Sequence, residues 1–209
     1  MASTRDVSVN TDSFADLYEE GLRYFMGEGK LNQALAQLTT DLKGHDIDYM
    51  VIGAVALLAH GYQRFTSDID LVLTPEGLEA FHRELIGLGY VPAFPNSRKR
   101  LRSTRHGMVI EVMTTGEYPG DGKPKPVSIP EPSKASTEIN GIQVVTLEKL
   151  IELKLASGIS APHRLKDLAD VQEVIKVRKL QAEFAERLDP YVQGKFLELY
   201  ETVRQNPED

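Results

Sequence analysis

Residues 49–73 read YMVIGAVALLAHGYQRFTSDIDLVL. The apolar run Ile47–Ile52 ends in glycine and predicts a buried strand, and Ala54–His60, rich in Ala and Leu and closed by Gly61, predicts a short helix. An Arg-Phe-Thr-Ser approach then leads into the strand Asp68–Leu73, stopped by Thr74-Pro75. Side chains alternate along a strand, so Asp68 and Asp70 share one face while Ile69, Leu71 and Leu73 enter the core from the other. Two carboxylates so placed on a rigid strand can share a divalent cation that prefers hard oxygen ligands. Without one they repel and raise each other's pKa. A strand end carrying two solvated acids is the plain alternative, and the surroundings argue against it. The Gly53-Ala54 turn ends a strand and opens a helix, where free N–H groups and the positive helix end suit a phosphate. Arg64 and Thr66 stand just before the acids.

Outward from this stretch, Ser13–Met26 and Leu31–Lys43 predict helices, the second from the helical spacing of Leu31, Leu35, Leu38 and Leu42, with Gly44 as its terminator. Downstream, Glu76–Leu88 predicts an amphipathic helix closed by Gly89, and Met108–Thr114 a strand. The proline-rich stretch Gly116–Gly141 reads as an extended surface loop or hairpin, and Ile142–Val145 as a last strand. Helices are expected over Leu147–Ala156, Pro162–Val177 and Leu180–Tyr200. Strand–helix alternation followed by helices predicts an α/β (α+β) fold, a mixed sheet flanked by helices. Residues 1–146 would form the core with its N-terminal helices, and 147–209 a helical C-terminal extension packed on it.

Composition narrows the chemistry. The 209 residues are 41% apolar and 26% charged, the balance of a globular chain with a real core. Cysteine is absent, which excludes a disulfide framework and thiolate zinc sites, so a metal would need carboxylates, carbonyls or histidines. No apolar stretch approaches the roughly 20 residues of a membrane span, and the N-terminus lacks a signal-peptide core. A cytoplasmic protein with no membrane partner is expected. The net charge of −7 opposes general attraction of nucleic acid, so such a partner would need a local basic patch.

A third carboxylate is expected on a neighbouring strand, and Glu111 in MVIEVM (108–113) is the candidate. An acid between apolar neighbours in a strand is costly to bury without a partner. A metal-facing position would explain it and would let Glu111 orient or deprotonate an attacking hydroxyl; the alternative is an acid on a wet edge face paired with an arginine. The basic segment Ser97–His106 either collects phosphates from an acceptor RNA or a nucleotide, or keeps a sheet edge soluble. Asp167 and Asp170, three apart, share a helix face, whose plain reading is a solvated surface with local ion pairs. His60 and His106 are assigned no role.

Taken whole, the run from Gly53 to Asp70 resembles the nucleotidyltransferase superfamily, and is most similar to minimal bacterial members related to abortive-infection toxins. Those proteins pair a strand–glycine–small-residue turn with a downstream Arg-x-Thr-x-Asp-x-Asp, here Gly53, Ala54, Arg64, Thr66, Asp68 and Asp70. Where many members carry Gly-Ser or Gly-Gly at the turn, this chain has Gly53-Ala54, which keeps the N–H and offers no hydroxyl. The helices LIELKL (150–155) and RLKDLAD (164–170) are similar to those that follow in that group, so the resemblance spans about residues 45–175. It implies transfer of a nucleoside monophosphate from an NTP to a hydroxyl of an RNA, protein or small-molecule acceptor, with Mg²⁺ or Mn²⁺ on Asp68, Asp70 and Glu111. It also implies a nucleotide site of Gly53, Ala54, Arg64, Thr66, Lys154, Lys166 and Asp167, and a toxin-like role with an antitoxin-like protein partner. The alternative is a catalytically silent version of the fold that binds a nucleotide, RNA or protein.

Overall fold

The computed structural model describes residues 29–206 together with Gly21. The helix expected over Ser13–Met26 lies outside the described residues except for Gly21, which is helical. The described chain begins with α1 (Lys30–Gly44), β1 (Tyr49–Val51), α2 (Gly53–Ala59), β2 (Asp68–Leu73) and α3 (Pro75–Glu84). It continues through β3 (Tyr90–Pro92), β4 (Arg100–Ser103), β5 (Val109–Thr114), α4 (Pro132–Ala135), β6 (Ser136–Ile139) and β7 (Ile142–Val145). Three longer helices close it: α5 (Leu147–Ser160), α6 (Leu165–Arg178) and α7 (Pro190–Gln205), the last two preceded by 3-10 turns at Pro162–Arg164 and Ala182–Arg187.

The strands form one mixed sheet in the order β3-β4-β5-β2-β1-β7-β6. β2 occupies the centre, antiparallel to β1 and parallel to β5; β1 runs parallel to β7. Each face of the sheet carries its own apolar core, because alternate residues of every strand point opposite ways. Ile69, Leu71, Leu101, Ile110 and Val112 pack under α1 and α3, with Leu38, Leu42 and Phe81 fully buried there. On the other face Met50, Ile52, Val72 and Val145 meet α5, α6 and α7 through Leu150, Leu155, Val171, Val174, Val192 and Phe196. The C-terminal helices therefore share a core with β1, β2 and β7.

Differences from the sequence-based expectations have local causes. α3 begins where Thr74 accepts a hydrogen bond from the Gly77 N–H at 2.9 Å with Pro75 at its first position, a strong N-terminal signal. It stops at Glu84, short of the expected Leu88, because Gly87 and Gly89 hold positive φ of 87° and 124° and turn the chain straight into β3. β3 and β4 were not expected, since their polar alternation carries little apolar signal. The stretch Gly116–Gly141 holds α4 and β6, and its first half is pinned: the Gly116 N–H donates to the Ile129 carbonyl and the Ile129 N–H to the Glu117 carbonyl, both at 2.8 Å. The helix expected over Leu180–Tyr200 is broken at Leu188-Asp189-Pro190. Pro190 cannot continue a helix from before it, and the Asp189 carboxylate caps a new one through the Tyr191 N–H at 2.9 Å.

Phe196 is fully buried and stacks obliquely on Phe184 at 5.6 Å, tying α7 to the core that the helices share with the sheet. Phe196→Ala is expected to lower unfolding stability by about 3–5 kcal/mol, read as a shift in urea midpoint. A loss under about 1 kcal/mol would show that α7 is not integral to that core.

Candidate functional site

β2 and β5 pair in parallel with Asp70 directly opposite Glu111 and Asp68 opposite Val109. That register, and nothing in the local sequence, brings the third acid to the first two. Asp68, Asp70 and Glu111 each offer an oxygen within 4.8 Å of the others, and each is partly exposed toward a cleft of about 430 Å³. The donor set consists only of carboxylates, which fits a hard divalent cation such as Mg²⁺ or Mn²⁺. Electrostatics support the fit. Burial, followed by the negative charges of Asp68 and Glu111, pushes the Asp70 carboxyl up to about 6 against the weaker pull of Lys154 and Arg64. A cation would relieve that repulsion.

Gly53 explains the turn. Its φ of +67° belongs to the left-handed region, and a Cβ there would lie 1.9 Å from Asp70 Oδ2. Glycine alone satisfies both the conformation and the close approach. Ala54 turns its methyl group into the interior, where it is 2% exposed and outside the cleft wall, so only its backbone N–H is left for the phosphate role expected of it. Thr66 lines the cleft, but its hydroxyl donates to Asp68 Oδ1 at 2.5 Å, so it orients the carboxylate.

The opposite wall comes from α5, α6 and the turn between them. Lys154 donates to Asp167 Oδ1 at 3.1 Å and Asp170 Oδ2 at 2.7 Å. Ser157 Oγ and Arg164 Nε both donate to Asp167 Oδ2, at 2.7 and 2.8 Å. Arg64 Nε lies 3.2 Å from Asp170 Oδ1, which joins the β2 approach to α6. The solvated-surface expectation for Asp167 and Asp170 is thereby corrected: both are buried, because buried or cleft-facing cations surround them. Burial raises the Asp167 pKa, but Lys154, the Ser157 hydroxyl and Arg164 together bring it below the usual range, so this carboxylate stays ionised. Three cations meet two carboxylates here, and exposed Lys166 adds another charge facing the cleft. The wall is net positive opposite a net negative one, an arrangement suited to a ligand that carries phosphates and a cation together.

Sequence reasoning missed several participants. Ser157 and Arg164 became visible only as partners of Asp167. Pro119 and Gly120 reach the cleft because Gly120, at φ +77°, sits so close to α5 that a Cβ would fall 2.7 Å from the Ser157 carbonyl. A Pro-Gly pair inside a proline-rich loop was the available signal. Most of the basic segment is engaged: Arg98 pairs with Glu79 at 2.5 Å, Lys99 with Glu117, and Arg100 with Glu111 at 3.3 Å. Buried His60 donates through Nε2 to the Val145 carbonyl at 2.7 Å, a structural link between α2 and β7.

Among solved structures, the chain is similar to ANT(2'')-Ia in complex with adenylyl-2''-tobramycin, with 15% identity, 80% of this chain and 97% of that one covered, and a TM-score of 0.53. The fold is that of a nucleotidyltransferase. The solution structure of the antibiotic-resistance factor ANT(2'')-Ia matches over 80% of this chain and 91% of that one, at 14% identity and a TM-score of 0.49. An antigenic nucleotidyltransferase-like protein from Paracoccidioides brasiliensis matches over 86% of this chain and 89% of that one, at 16% identity and a TM-score of 0.49. No family model matches the sequence, and no curated protein does. Among the described residues, no helix of this nucleotidyltransferase fold is long and apolar enough to cross a membrane.

Two outcomes test the geometry without an activity assay. The folded-state pKa of Asp70 lies above its unfolded value, so this group weakens the fold as pH rises from about 4 through about 6. With a chelator present, Asp70→Asn should match wild-type Tm near pH 4 and exceed it above pH 6.5; an equal or lower Tm at neutral pH would show that the site is not strained. Gly53→Ala should lower Tm by at least about 3 °C, from the left-handed backbone strain alone, with the Asp70 contact adding to it. A neutral result would mean that the turn tolerates a Cβ.

Proposed function

We propose that the protein is a nucleotidyltransferase that moves a nucleoside monophosphate from an NTP to a hydroxyl of an acceptor. The observation that carries this reading is the convergence of Asp68, Asp70 and Glu111 on one sheet face, opposite a wall of cations, on a nucleotidyltransferase fold.

Asp68 and Asp70 would hold Mg²⁺ or Mn²⁺, with Glu111 completing the set. When bound, the cation supplies positive charge to the phosphoryl oxygens and eases departure of pyrophosphate. The remaining work belongs to the chain. Gly53, lacking a side chain, leaves the triphosphate room to approach the backbone beside Asp70. Arg64, Lys154 and Lys166 neutralise phosphate charge from the opposite wall, while Asp167 and Asp170 hold Lys154 in place. Thr66 fixes the Asp68 carboxylate. Glu111 accepts the proton of the acceptor hydroxyl as that oxygen bonds to the α-phosphorus and the bond to pyrophosphate breaks. Catalysis of this type is chiefly positioning and charge neutralisation. The toxin-like role and an antitoxin-like partner rest on the motif resemblance around Arg64–Asp70.

Purified protein incubated with each labelled NTP, Mg²⁺ or Mn²⁺, and a cellular extract should label an acceptor. Asp68→Asn should reduce labelling by about 100-fold or more while retaining the wild-type circular dichroism spectrum. Wild-type turnover in that variant would remove the reading. Nucleotide-induced stabilisation that persists unchanged in chelator, with no labelled product, would instead indicate a silent nucleotide-binding fold.

A further inference from the structure

We propose that the open sheet face beside the carboxylates seats a polynucleotide acceptor, with Arg100 and Arg102 holding its phosphates. This inference rests on the nucleotidyltransferase reading and names the acceptor class for it.

The register supplies the geometry. Arg100 of β4 lies opposite Glu111 of β5, which lies opposite Asp70 of β2. In the next row Arg102 lies opposite Val109, which lies opposite Asp68. Leu101, Ile110 and Ile69, the alternating residues, are fully buried on the other face. The two arginines therefore share the face of the carboxylate cluster and begin one strand beyond Glu111, on the side away from α5 and α6.

Their charge is available. Arg98 and Lys99 turn to Glu79 and Glu117, but Arg102 is exposed and makes no ion pair among the described residues. Arg100 meets Glu111 at 3.3 Å with its side chain 53% exposed. A solvent-screened pair of this kind is weak and exchanges readily, and a guanidinium binds phosphate oxygens in a fork. No acid occurs from residue 97 to residue 108. On a chain of net charge −7, this local patch is where a polyanion would be drawn.

The spacing favours a repeating anion over a single phosphate. Arginines two residues apart on a strand stand about 7 Å apart, in line with the carboxylates and aimed along one face. Exposed Val91, paired to Arg102 in register, adds apolar surface on the same face on which a base can rest. A polycationic acceptor such as an aminoglycoside would meet these guanidiniums with repulsion.

The test measures binding of a fluorescein-labelled single-stranded RNA bearing a free 3′-hydroxyl, with Mg²⁺ and a non-hydrolysable NTP present. Wild-type, Arg102→Ala and Arg102→Glu proteins are compared across salt concentrations. Arg102→Glu should weaken binding by about tenfold, and loss of one phosphate contact should make the salt dependence shallower by about 0.7 in log–log slope; Arg102→Ala should fall between. The thermal shift induced by the nucleotide should stay at the wild-type value in both variants. RNA binding that is absent in wild type, or unchanged in affinity and salt slope in Arg102→Glu, would overturn the inference. So would labelling of a protein or an aminoglycoside in place of RNA, an outcome that leaves the transferase reading standing. Absence of any nucleotide-induced shift in wild type would instead strike the transferase reading itself.

Discussion

Everything in the cleft depends on one piece of backbone pairing: β2 and β5 lie parallel with Asp70 across from Glu111. Parallel neighbours need a long crossover, here supplied by α3 and the β3–β4 hairpin. The chain thus places like charges from distant positions side by side in the native state only. Without a cation such a cluster works against the fold, because burial and the charges of Asp68 and Glu111 push the Asp70 carboxyl upward. The apolar contacts of Ile69, Leu71, Ile110 and Val112 on the reverse face, all well buried, hold the strands together against it.

The opposing wall solves a different problem. Buried cations are costly unless partnered, and Lys154 is buried in α5 between Asp167 and Asp170. Asp170 also faces Arg64, which lies on the approach to β2. One carboxylate thus connects the C-terminal helices to the segment that delivers Asp68 and Asp70. The helices after residue 146 consequently furnish half of the cleft as well as half of a core.

Much of this was legible in the sequence, for physical reasons that can be named. The strand Asp68–Leu73 carries strong period-two alternation and a Thr-Pro stop, and it was bounded correctly; Ile142–Val145 was too. Glu111 stood out because an acid amid apolar strand residues demands a partner. The short strands β3 and β4 escaped notice because one of their faces is polar and open, leaving too few apolar positions for a period to show. Burial of Asp167 and Asp170 was misjudged since spacing reveals a shared helix face but not what meets it. The motif pointed to the Gly53-Ala54 turn through its backbone N–H groups, and the inward methyl group of Ala54 is a packing detail that the motif does not carry. An arginine partner for Glu111 was one of the two readings, but that it is Arg100 follows from the β4–β5 register and has no local signature.

The order of the strands has one more consequence. Among the described residues, the margins of the sheet are β3 and β6, only three and four residues long. Pro92 in β3 has no N–H to offer a newcomer, and exposed Thr137 and Glu138 in β6 present a hydrophilic rim. Short, proline-bearing or charged borders discourage strand addition by a second molecule. A sheet left partly open at β4 and β5 on one face is thereby guarded against becoming a template for aggregation.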